Sequence, residues 1–248
     1  MNNGINLAWM YPDILNLHGE RGNAQCFKMV AEQLGIELNI DRIDDVDAKI
    51  DFSKYDILLF NAGELKVIPT ILKSLNSQID SLNKYIEDKK TIIVTGTTGA
   101  LLSNTVTRYN DEKFSGLGIF NMDVTERNTV IGDDIYFLLD DGLEIYGSQI
   151  QMIDITLKDD DKPLGDVKYG YGNNGKSNQE GAIKDNIIFT NCLGPVFVKN
   201  PWFAEKILRD ICSMKDIKIN ENVKTNFELE KKSLESCKEF MNKKLQEK

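Results

Sequence analysis

Two hydrophobic periods alternate along the first hundred residues. Residues 5–10, INLAWM, form a short apolar run that Pro12 ends, since proline cannot continue a ladder, and they predict a first strand. Ala24, Phe27, Val30, Ala31 and Leu34 then recur every three or four positions, which predicts a helix capped by Asn23 and stopped by Gly35. Residues 36–43 alternate like a half-buried strand. Residues 56–60 read as a fully buried one that runs into Asn61-Ala62-Gly63-Glu64. Val67, Ile71, Leu72, Leu75, Ile79, Leu82 and Ile86 predict one helix over 66–88. It returns the chain to a β-favouring stretch at 91–94, followed by the turn Thr95-Gly96-Thr97-Thr98-Gly99 and a new helix from Ala100. Repeated βα units of this length imply a parallel sheet with right-handed crossovers, and sharp turns at its carboxyl edge are where such folds place chemistry.

Beyond residue 104 the period shortens. Strand-like runs at 116–124, 133–139 and 143–157 have little helix between them, so an antiparallel extension of the sheet is expected. Residues 186–190 give another strand, and Asn200-Pro201 opens a helix with asparagine as cap and proline in the first turn. From residue 222, Leu234, Cys237, Met241 and Leu245 form one apolar stripe among many charges, which suits an amphipathic helix docked on its own domain. The expected organisation is an α/β domain over 1–214 and a helical extension over 215–248.

Composition narrows the functional classes. A net charge of −9 argues against a nucleic-acid partner or an anionic membrane surface. No apolar run approaches the length of a membrane span and residues 1–4 do not resemble a signal peptide, so a cytoplasmic location without membrane insertion is expected. Four scattered cysteines and a single histidine, His18, suggest neither a disulfide framework nor a metal centre, and no cofactor is expected. Residues 170–177, GYGNNGKS, satisfy the letters of a phosphate-binding P-loop. That mechanism needs a buried strand before the loop and a helix after it, whereas 162–169 is a poor strand pattern and Asn178-Gln179-Glu180-Gly181 is turn-like.

Several segments together resemble the class I glutamine amidotransferases of the cobyric acid synthase type, in particular the branch of amidotransferase subunits of lipid II isoglutaminyl synthases. They are Tyr11-Pro12-Asp13 with HGERGN at 18–23, the Gly63 turn, GLGIF at 116–120, PLG at 163–165, YGYGNNG at 169–175 with Glu180-Gly181, and LGPVFVKNPWFA at 193–204. The resemblance implies a flavodoxin-like α/β fold, mostly parallel with an antiparallel extension, and a Mur-ligase-like synthetase as partner in cell-wall amidation. It also implies a cysteine nucleophile at the turn after a central strand, a histidine base on a later turn, and backbone N–H groups for the oxyanion.

The chain departs from that pattern at each catalytic position. Thr95 stands where the resemblance implies the nucleophile and Leu193 where it implies the base, while the glycine-rich oxyanion turn reads Asn61-Ala62-Gly63-Glu64. No catalytic residue is expected at these places, and Gly63, Glu64, Gly96, Thr97 and Gln149 are the substrate-binding candidates that remain. A threonine hydroxyl has no thiolate-like form near neutral pH and needs an adjacent base. Two readings follow. One is a binding or scaffolding subunit that has lost glutaminase activity, its crevice filled by Leu193. The other is altered chemistry on a small amide or phosphorylated ligand, with Thr95, Thr97 or Thr98 assisted by Glu20 or Glu64 in an open polar cavity.

Overall fold

Five parallel strands with helices packed on both faces form the centre of the protein. The computed structural model describes residues 4–158, 161–220 and 223–247. In chain order the strands are β1 (Ile5–Met10), β2 (Leu38–Ile43), β3 (Ile57–Phe60), β4 (Thr91–Thr95), β5 (Thr105–Thr107), β6 (Lys113–Phe114), β7 (Met122–Leu139), β8 (Glu144–Leu157), β9 (Gly165–Tyr169), β10 (Gln179–Glu180), β11 (Ala182–Lys184), β12 (Ile187–Thr190) and β13 (Cys192–Leu193). The helices are α1 (Arg21–Leu34), α2 (Ile68–Asn76), α3 (Ile79–Glu87), α4 (Val196–Lys199), α5 (Pro201–Met214) and α6 (Glu228–Gln246).

The main sheet has the order β11-β12-β4-β3-β1-β2. All neighbours are parallel except β11, which pairs antiparallel with β12. Read from the other edge, the five parallel strands follow the flavodoxin-like order, so the mostly parallel α/β fold is present as expected. Alternate strand residues feed two cores. Ile5, Leu7, Ile57, Leu59, Ile93 and Ile188 pack with α1 and α5 on one face, while Ala8, Met10, Leu58, Phe60, Val94 and Phe189 pack with α2 and α3 on the other.

The antiparallel part is more independent than expected. Instead of only extending the first sheet, β5 to β10 and β13 build a second sheet around the long β7–β8 hairpin. The apolar runs at 116–124 and 133–139 meet in β7, which starts only at Met122 and changes register between Glu126 and Ile131. Residues 165–169, a poor strand by pattern, pair with β7 at the hairpin's other edge.

Three local expectations differ, each for a tertiary reason. The helix expected over 66–88 is two, because Gln78 turns its side chain to the 48–50 segment, accepting from Ile50 N at 2.6 Å and donating to Ala48 O at 3.1 Å. Asn23 does not cap α1, which begins at Arg21 with Glu20 at the cap position. After β4 the chain enters a 3-10 helix, Gly96–Leu102, rather than an α-helix. This tight turn lies directly on β12, and a Cβ built on Gly99 would stand 2.1 Å from Phe189 Cε2. Because Phe189 is itself fully buried, Gly99→Ala should cost about 1–3 kcal/mol, read as a lower urea midpoint at unchanged slope.

Candidate functional site

The strand order reverses between β1 and β3, and open α/β sheets bind ligands outside the carboxyl ends of the strands at such a point. Four turns converge there, following β1, β3, β4 and β13. Two non-glycine residues in the first of them, Tyr11 (φ 51°) and His18 (φ 57°), adopt left-handed backbone, a strain that proteins tolerate mainly where the surroundings impose it. Gly96 (φ 60°) is required at the centre: a Cβ there would lie 3.0 Å from Ala62 Cβ and 3.2 Å from Leu193 Cδ2. The turns after β3, β4 and β13 therefore touch through one glycine.

Within this contact the chain supplies its own occupants. Leu193 is buried, 1% exposed, with its methyl groups over Gly96, in the place where the resemblance puts an imidazole. Thr98 Oγ1 donates to Asn61 O at 2.8 Å and accepts the Gly63 N–H at 3.0 Å. That N–H belongs to the turn expected to hold an oxyanion, and it already has a hydroxyl partner. Thr95 is fully buried, and its hydroxyl donates to Glu20 Oε2 at 3.2 Å.

Glu20 joins the turns. Its Oε2 also accepts from Asn23 Nδ2 at 2.6 Å, and its Oε1 accepts the Gly194 N–H at 2.9 Å. Asn23 extends the network, donating to Asn61 Oδ1 at 3.1 Å and accepting the Phe197 N–H at 3.0 Å. This commitment explains why Asn23 sits inside α1 rather than capping it. The sequence signal for both residues was the HGERGN segment, but nothing in it revealed that Glu20 would meet Thr95 and Gly194 from the far end of the chain.

The other candidates are not gathered with them. Glu64 turns outward to Lys66 at 2.6 Å with 54% of its side chain exposed, so it does not join the threonine hydroxyls. Thr97 is half-buried beside the contact. Gln149 lies apart from these turns and is built into the loop after β9: it is buried, accepts the Tyr171 N–H at 2.9 Å, and donates to Gly172 O at 2.8 Å and to Gln151 Oε1. Cys192, next to Leu193, is wholly buried against Gly147, and burial pushes its thiol well above the ordinary range. Among the described residues, no group of three or more His, Cys, Asp or Glu side chains is arranged to hold a metal ion.

Burial raises the Glu20 carboxyl from 4.5 to about 7, against the lowering effect of hydrogen bonds from Gly194, Asn23 and Thr95. The unfolded chain ionises this group at lower pH than the native one does, so its stabilising contribution is complete below pH 4.5 and is lost as pH rises through 7. The stability gap between wild type and Glu20→Gln should therefore shift by up to about 3 kcal/mol between pH 4.5 and pH 8, with wild type losing ground as pH rises. Urea unfolding of both proteins across that range checks this, and a pH-independent gap would contradict it.

No family profile matches the chain. Curated proteins do. The chain is 28% identical over 207 residues to the lipid II isoglutaminyl synthase (glutamine-hydrolyzing) subunit GatD of Streptococcus pneumoniae, covering 82% of this chain and 79% of that protein. It is 25% identical over 210 residues to the GatD subunit of Staphylococcus aureus, covering 83% of each. Among solved structures, a glutamine amidotransferase aligns with a TM-score of 0.53 at 16% identity, over 75% of this chain and 93% of that one, a likeness of fold. With the strand order and these two relatives together, the chain is a homologue of the GatD subunits, built on the class I glutamine amidotransferase fold.

Proposed function

We propose that this chain is an amidotransferase-like subunit without glutaminase activity, which acts by binding a Mur-ligase-like synthetase in cell-wall amidation. In this reading residues 1–214 are the amidotransferase-like domain and 215–248 a helical extension. The relatives are named as subunits of a glutamine-hydrolysing synthase, and that supports the partner class. One observation carries the loss of chemistry: the Gly63 N–H and the space over Gly96 are filled by the chain's own Thr98 and Leu193.

The second reading, altered chemistry, has one point in its favour. Glu20, with a proton affinity near neutrality, stands 3.2 Å from the Thr95 hydroxyl, the pairing of base and nucleophile that general-base catalysis needs. Both groups are fully buried, however, and a base must also share its site with a substrate.

The purified protein should release no ammonia from glutamine above a boiled control, and it should co-elute with a Mur-ligase-like synthetase in size-exclusion chromatography. Ammonia release abolished by Thr95→Ala would sink the proposal in favour of the second reading. Thr95→Cys combined with Leu193→His should also remain inactive. A thiol at 95 would lie beside the Glu20 carboxyl in a buried site, which disfavours the thiolate, and Thr98 would still hold the Gly63 N–H. Turnover restored by that pair would show that the self-occupied crevice can open.

A further inference from the structure

The Gly/Asn-rich loop after β9 has no place in the proposed function, yet it is built with unusual care for a surface loop. Gln149 holds Tyr171 N and Gly172 O, and Gln151 Nε2 donates to Asn173 O at 2.9 Å. Asn173 makes a reciprocal pair with Gly181, Nδ2 to O at 2.9 Å and N–H to Oδ1 at 2.7 Å. Gly172 (φ 60°) is obligatory, since a Cβ there would stand 2.1 Å from Ser177 O. The buried side of the loop is thus pinned by two glutamines and an asparagine. Its exposed side carries Tyr171 and Lys176, which both border two adjoining cavities of about 230 and 440 Å³.

The charges bordering this corner are unevenly matched. Arg127, lining the larger cavity, is matched by Asp154 at 2.7 and 2.8 Å, and Asp133, lining the smaller, is matched by Lys244 of α6 at 3.1 Å. Lys168 and Lys176 are exposed and have no carboxylate partner among the described residues. Two uncompensated cations therefore face one recess of a chain whose net charge is −9. The recess at the other end of the main sheet, bordered by Asp140, Asp141, Asp185 and Asp210 around Lys206, has the opposite character.

We propose that the recess between β7, β9 and the 170–177 loop binds a phosphate- or diphosphate-bearing ligand, gripped by Lys168 and Lys176 with Tyr171 alongside. The mode is not that of a P-loop. The residues after the loop form the two-residue strand β10 rather than a helix, so side-chain charge on a prearranged loop takes the place of a helix terminus. The proposal stands independently of the partner and of the crevice at Gly96.

The probe is inorganic pyrophosphate, titrated calorimetrically at low and high salt against the full chain. Saturable binding is expected, weakened about tenfold by Lys168→Ala with Lys176→Ala, and weakened by salt. The exposed pair Lys49→Ala with Lys73→Ala, which changes net charge equally on other elements, should leave it unchanged. Sedimentation with phosphatidic acid vesicles separates the two sources of such a group. Vesicle binding that needs Lys168 and Lys176 identifies a lipid headgroup, and pyrophosphate binding without it identifies a soluble ligand. Binding of neither probe, or equal loss in both double variants, overturns the proposal.

Discussion

A carboxyl group sealed from water must find donors for its oxygens, and Glu20, in the loop after β1, finds them in the first turn of α1, at the end of β4 and after β13. The loop after β1, the end of β4 and the turn after β13 can satisfy it only if they meet at one point. Each other constraint at the carboxyl edge follows. Gly96 must lack a side chain so that Ala62 and Leu193 can approach, and Asn23 must leave its capping duty to tie α1 to the β3 turn and to Phe197. The carboxyl edge thus carries a buried polar network under the side chain of Leu193, in which Asn61 Nδ2 alone among the side-chain polar atoms of Glu20, Asn23, Asn61 and Thr95 is left without a hydrogen-bond partner.

The main sheet and its helices were readable from periodicity because each element buries one face against its neighbours, as the alternation of Ile57 and Leu59 with Leu58 and Phe60 shows. The break at Gln78 and the start of α1 were not readable, since both depend on side-chain bonds to residues distant in sequence. The second sheet was hidden for a related reason. The pairing of β7 with β8 and β9 combines a register change with short, polar strands whose partners supply the order that their own sequence lacks.

At the site, the positions of Thr95, Gly96, Gly63 and Leu193 emerged together because the turns that carry them end adjacent parallel strands or lie beside one. Glu64 and Gln149 did not follow. A carboxylate one residue past a glycine turn is free to rotate toward solvent and a lysine, and a glutamine on β8 beside a glycine-rich loop meets unsatisfied backbone groups before it meets any ligand. The relatives it resembles are named as subunits of a glutamine-hydrolysing synthase, and in this chain the corresponding turns hold Thr95 and Leu193.

The Thr98 hydroxyl on the Gly63 N–H has a consequence best seen as competition. A tethered group meets its site at an effective concentration that commonly reaches the millimolar range or more, without losing translational freedom at each encounter. In the proposed reading a free amide or anion entering the crevice would have to displace this resident hydroxyl as well as the side chain of Leu193. In the proposed reading the chain's own Thr98 and Leu193 thus act on this crevice as a ligand that never dissociates would act on an enzyme.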